Sequence, residues 1–125
     1  MLRAAVRHTR PSAHAQEPEW FTTAPIGALC KLFARTGWQP SDIDYYEINE
    51  AFAIVPMAVM REFGLPRARV NAHGGACAIG HPISASGARI VVALLGVLRA
   101  RGARRGVASL CIGGGEGTAL AIELT

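Results

Sequence analysis

The sequence predicts an α/β fold, a mixed β-sheet covered by helices, and three observations carry that expectation. Apolar residues recur at helical spacing around Ile26–Phe33, Ala51–Phe63 and the segment after Pro82. Short runs rich in β-branched residues separate or follow them at residues 43–48, 106–112 and 118–124. A hydrophobic content of 50% with 18% charged residues is that of a chain that buries a core, not of a disordered one. At 125 residues a single domain is expected.

The elements follow in order. Residues 1–16 hold no acid before Glu17, and Arg3, Arg7 and Arg10 would share one face of a helix, as in a mitochondrial presequence. A disordered or truncated end is the preferred expectation for that stretch. Thr22 and Thr23 offer N-cap hydroxyls ahead of Pro25, and Ile26, Leu29, Cys30, Leu32 and Phe33 then mark an amphipathic helix that stops at Gly37. A polar turn at residues 39–42 leads into a strand over Ile43–Ile48, which leaves Asn49 at its C-terminal end. The next helix, Ala51–Phe63, contains Pro56, so it either kinks there or keeps the proline in its first turn. Val70 suits a brief strand before a glycine-rich loop, residues 71–81. Pro82 opens a helix to about Arg101 that is apolar nearly all round and is expected to be buried. Gly106–Ile112 and Thr118–Leu124 read as an antiparallel pair joined by a Gly-Gly-Gly-Glu-Gly turn. The order α-β-α-β-α-β-β gives the mixed sheet.

Charge and cysteine usage narrow the function. The formal charge of +4 comes from arginine, Lys31 being the single lysine, and is too small to demand nucleic acid. Arg99, Arg101, Arg104 and Arg105 cluster around Gly102, where cations would complement the negative end of a helix. The apolar run Ile90–Leu98 is shorter than a bilayer requires, so no membrane partner is expected. Cys30, Cys77 and Cys111 are odd in number and far apart, which favours free thiols in a reducing compartment, the cytoplasm ahead of the mitochondrial matrix.

Three segments bring reactive or hydrogen-bonding side chains next to residues that open the backbone: Asn49–Ala53, Gly80–Gly87 and Cys111–Gly117. Each follows a strand or opens a helix, so the three converge at the C-terminal edge of the sheet, where α/β proteins place their sites. A histidine at a helix start is held neutral by the dipole and can exchange a proton near pH 7. A cysteine is a competent acid or base toward carbon and sulfur acids. Glycines after Cys111 let backbone amides face a developing oxyanion, and Asn49 adds a further donor. Singly, each has a plainer reading: a core cysteine, a satisfied turn histidine, a glycine turn.

Together the segments carry a resemblance. Through Trp20-Phe-Thr-Thr-Ala-Pro25, Asn49-Glu-Ala-Phe52, Gly80-His-Pro82 and Cys111-Ile-Gly-Gly-Gly115, in that order, the chain resembles the C-terminal domain of the thiolase family from about Ala13 to Thr125. Residues 1–12 match poorly and stand apart as an unmatched tail or altered first strand. The resemblance implies a thiolase-like C-terminal half acting in an acyltransferase that makes or cleaves the carbon–carbon bond of a 3-ketoacyl-CoA. Coenzyme A thioesters would be its substrates, with no cofactor and no metal.

In that family the motif histidine, here His81, activates a nucleophilic cysteine. It also shares an oxyanion hole with a water held by the motif asparagine, here Asn49. The motif cysteine, here Cys111, moves the proton of the substrate α-carbon, and the Gly113 amide belongs to a second oxyanion hole. Related ketosynthases carry histidine where Cys111 stands. The nucleophile itself lies in the family's N-terminal half, so this chain is expected to be inactive alone, with that half as a partner in trans or a missing part, in a homo- or hetero-oligomer. Ser84 replaces a frequent glycine, which leaves open a narrowed acyl pocket or a helix cap. Cys77 falls where the family has small or apolar residues and is a poor substitute nucleophile. Two alternatives stand beside this reading: a non-catalytic thiolase-like subunit that serves assembly, and a zinc site built from His73, Cys77, His81 and Cys111.

Overall fold

The computed structural model describes residues 6–8 and 11–125. The strands are β1 (Val6–His8), β2 (Ser12–Ala15), β3 (Tyr45–Ile48), β4 (Arg105–Ile112) and β5 (Glu116–Leu124), and the helices are α1 (Ala24–Thr36), α2 (Ile54–Phe63), α3 (Ala76–Ile79) and α4 (Ile83–Arg101). They form one mixed sheet in the order β1-β5-β4-β3, with β2 also paired to β5. β3 and β4 run parallel, with Tyr45 opposite Gly106, while β5 is antiparallel to β4, β1 and β2. The fold class is the predicted one.

Alternation along β4 and β5 assigns the two faces. Val107, Cys111, Ala119 and Ala121 join Leu29, Leu32, Tyr46 and Val59 in a core covered by α1 and α2. Ala108, Ile122 and Leu124 pack on the other face against Ile90, Leu94, Val97 and Leu98 of α4. Gly106 is where α4 comes closest, since a Cβ there would stand 2.7 Å from Leu94 Cδ1.

Several expectations are corrected by the packing. Residues 1–5, 9 and 10, on which much of the tail and presequence reading falls, lie outside the described residues. Val6–His8 and Ser12–Ala15 are strands on β5, and Ser12 Oγ donates a 2.6 Å hydrogen bond to the Ala28 carbonyl, tying β2 to α1. Thr23 occupies the N-cap of α1 without capping it, because its hydroxyl donates to the Trp20 carbonyl instead. Pro56 lies in the first turn of α2, where a missing N–H costs nothing, and no kink is needed. Val70 makes only an isolated bridge to Tyr46, and the glycine-rich loop contains the short helix α3.

The largest correction concerns α4. It is 19 residues long and by length and composition alone apolar enough to cross a membrane, unlike the shorter run Ile90–Leu98 read from the sequence. Its buried residues are Ser86, Ile90, Leu94, Val97 and Leu98, an i, i+4 stripe against the sheet, while Ile83 and Val92 are 84% and 68% exposed. It ends at Gly102 in the left-handed region, with Arg99 and Arg101 in the last turn as charge complementarity expects. Arg105 pairs with Glu123 at 3.0 Å and lies over the Trp38 ring, so this part of the arginine cluster is occupied within the fold.

Candidate active site

The site is built on the ends of β3 and β4. Beyond Ile48 the chain keeps to the sheet for one more residue, as the Asn49 amide donates to the Ser109 carbonyl at 2.9 Å. Asn49 is thereby fully buried, with its carboxamide fixed between two partners. Its Oδ1 accepts from Arg89 Nη2 at 3.1 Å, and its Nδ2 lies 3.3 Å from His81 Nε2.

His81 sits between Gly80, whose φ of 90° turns the chain out of α3, and Pro82, which precedes α4. Its Nδ1 lies 2.5 Å from Ser86 Oγ, and the Ser86 hydroxyl donates to the Pro82 carbonyl at 3.1 Å. The loop that delivers His81 is clamped to β3 by Asn71, in the left-handed region at φ 48°. Asn71 Oδ1 accepts from the Ile48 amide, and its Nδ2 donates to the Ile48 carbonyl, both at 2.8 Å, and to Glu50 at 3.0 Å. Glu50 in turn accepts from the Cys77 amide at 2.9 Å. Burial pushes the Glu50 carboxyl up, but the Cys77 and Asn71 hydrogen bonds and the Arg67 charge outweigh it and hold the group below its ordinary value.

Cys111 lies near the end of β4 opposite Gly117, 5% exposed, and burial raises its thiol above the ordinary range, so it rests protonated at neutral pH. His81, Cys111 and Gly113 line one cavity of about 470 Å³ whose other walls include Phe21, Ile83 and Leu110. Asn49 stands behind the imidazole, not in the cavity wall. Gly115, at φ 96°, brings the hairpin against the Gln16 and Glu17 backbone, and Gly117 brings it against the start of α1, where a Cβ would stand 2.5 Å from the Ala24 carbonyl oxygen.

Thus the structure brings together His81, Asn49, Cys111 and Gly113, the four residues singled out in the sequence. Ser84 is exposed, lines no part of this cavity and caps nothing. Cys77 is exposed and lines a separate hollow with Glu50, Met57 and Arg67. Among the described residues, no three His, Cys, Asp or Glu side chains gather as metal ligands, so the zinc alternative finds no such cluster. Sequence reasoning missed Ser86 and Arg89. The available signal was two polar residues three apart, on one face of an otherwise apolar helix, five and eight positions after His81.

A mixed sheet with a thiol, an imidazole and a carboxamide at one edge defines an α/β domain equipped for proton transfer. Comparison with known proteins gives the family: the model for the thiolase C-terminal domain matches residues 2–124, and the chain belongs to that family. Acetyl-CoA acetyltransferase 1 of Arabidopsis thaliana is 55% identical over 87% of this chain, which covers 26% of that protein. Cytosolic acetyl-CoA acetyltransferase of Mus musculus is 46% identical over 98% of the chain and 31% of its own length. The crystal structure of Bacillus anthracis acetyl-CoA acetyltransferase superposes with a TM-score of 0.92 at 42% identity, over 96% of this chain and 30% of that one. Acat5 thiolase from Ascaris suum, solved in complex with coenzyme A, gives 0.90 at 40% identity, over 96% and 31%. The chain therefore spans less than a third of the length of these relatives.

Proposed function

We propose that this chain supplies the acid/base half of a thiolase-type acyltransferase acting on 3-ketoacyl-CoA, and that the nucleophilic thiol comes from a segment corresponding to the remainder of its relatives. The carrying observation is that His81, Cys111 and Gly113 share one cavity while Asn49 holds the imidazole from behind. In thiolysis His81 Nε2 takes the proton of the incoming thiol, and the thiolate attacks the 3-keto carbon. The bond between the α-carbon and that carbonyl then breaks, its electron pair passes to the α-carbon as an enolate, and the Cys111 thiol returns a proton to that carbon. A second thiol, that of coenzyme A, removes the acyl group. A protonated, buried Cys111 suits the donor role; the protonated His81 with a water held by Asn49 suits one oxyanion, and the backbone amide of Gly113 the other. The reducing compartment that free thiols require agrees with the cytosolic relative from mouse.

The test mixes the chain with the N-terminal part of the Arabidopsis relative and follows coenzyme A consumption with acetoacetyl-CoA. Neither part alone turns over; the mixture does, and Cys111→Ser lowers its rate by about 100-fold or more, since a hydroxyl is too weak an acid for the transfer. Robust thiolysis by this chain alone, surviving Cys111→Ser, overturns the assignment. The exposed apolar residues Ile79, Ile83 and Val92 also suit a second reading, a non-catalytic subunit serving assembly, for which the mixture associates without turnover.

A further inference from the structure

Arg89 and Ser86 enclose the Asn49–His81 pair in a chain of hydrogen bonds whose direction is fixed at both ends. Arginine has no acceptor, so the Asn49 atom facing Arg89 Nη2 at 3.1 Å must be the carbonyl oxygen. The amide nitrogen is thereby turned toward His81 and must donate across the 3.3 Å gap, so Nε2 accepts and carries no proton. A neutral imidazole then bears its hydrogen on Nδ1, which donates to Ser86 Oγ at 2.5 Å. Ser86 is free to accept because its own hydrogen goes to the Pro82 carbonyl. Ser86 and Asn49 are both fully buried, so water does not compete for these bonds.

We infer that Arg89 and Ser86 are positioning residues: Arg89 sets the orientation of the Asn49 amide, Ser86 sets the tautomer of His81, and together they present Nε2 as a base. The inference rests on reading His81 as the group that takes the thiol proton. The imidazolium formed when Nε2 takes a proton keeps its Nδ1–H bond to Ser86, while the Asn49 amide, which faced the Nε2 lone pair as a donor, must give way to the new Nε2–H. Loss of either residue frees the ring: without Ser86 the Nδ1 hydrogen has no acceptor, and without Arg89 the Asn49 amide can turn and accept from Nε2–H.

The experiment records long-range proton–nitrogen correlations of the histidine rings in the ¹⁵N-labelled chain at alkaline pH, where imidazole is neutral. His81 should be the Nδ1–H tautomer. Ser86→Ala and Arg89→Met should each shift it toward Nε2–H, and Ser86→Thr should restore the parent pattern, with backbone amide spectra reporting that each variant is folded. An Nε2–H tautomer in the parent chain overturns the inference, as does a tautomer that neither Ser86→Ala nor Arg89→Met moves. No substrate or partner is present in this measurement. Failure here with a Cys111-dependent mixture still active removes only the relay, whereas an inactive mixture with the expected tautomer removes only the catalytic reading.

Discussion

Glu47 shows how strongly a single residue in this fold depends on its surroundings. It is 2% exposed on β3, and burial raises its carboxyl from the ordinary 4.5 to about 7, with Arg89 lowering it and Glu50 adding to the rise. Between those values the folded chain keeps the proton that the unfolded chain releases. The contribution to stability is therefore complete below about pH 4.5, declines as the pH rises and levels off above about 7, a loss of about 3 kcal/mol at most. Glu47→Gln should flatten this dependence. Urea titrations between pH 5 and pH 8 check it: parallel pH dependence in parent and variant would show that Glu47 is ionised throughout. Nothing local to Glu47 foretold this, because a carboxylate in a β-rich run reads as a solvent-facing position until the helix above it is placed.

At the scale of elements, what was legible followed from periodicity, and what was not followed from contacts distant in sequence. The β4–β5 hairpin, the stop at Gly37 and the end of α4 near Arg101 were visible because apolar spacing and glycine act locally. The pairing of β1 and β2 with β5 was not, since those strands are short and carry histidine, arginine and alanine; they exist because β5 offers them an edge. The His81, Asn49, Cys111 and Gly113 cluster was legible through its motifs, whereas Ser86 and Arg89 needed the helix to carry them over Asn49. The β2–α1 tie makes one element test: Ser12→Ala should cost about 1 kcal/mol, leaving the Ala28 carbonyl without its side-chain donor. Gly106→Val should cost more, about 1–3 kcal/mol, since its branches meet Leu94 and push α4 off the sheet. Thermal unfolding of both variants gives the ranking, and equal losses would contradict the close helix–sheet approach argued for Gly106.

For the whole molecule, the decisive quantity is apolar surface left uncovered. Ile79 on α3 is 67% exposed, and Val92, on the outer side of α4 opposite the stripe that packs on the sheet, is 68% exposed; Ile83, 84% exposed at the start of α4, lies on the cavity that holds His81. A helix that buries one face and still carries an exposed valine on the other, beside the exposed isoleucine of α3, is short of a covering layer. The relatives, more than three times as long, have chain enough to provide one. Alone, the chain should self-associate in proportion to its concentration, and Ile79→Lys with Val92→Lys should shift it toward the 13.2 kDa monomer. Neither residue lines the cavity that contains His81 and Cys111, so the pair of substitutions separates docking from chemistry. Sedimentation velocity across a hundredfold concentration range reads the first effect, and the amount of the Arabidopsis N-terminal part needed to reach half-maximal turnover reads the second. That amount should rise while turnover at saturation stays near the parent value, because the substitutions weaken assembly and leave the assembled site intact. A parent chain that remains monomeric throughout and binds no hydrophobic dye would mean that α4 needs no cover, and the proposal of a missing layer would fall with it.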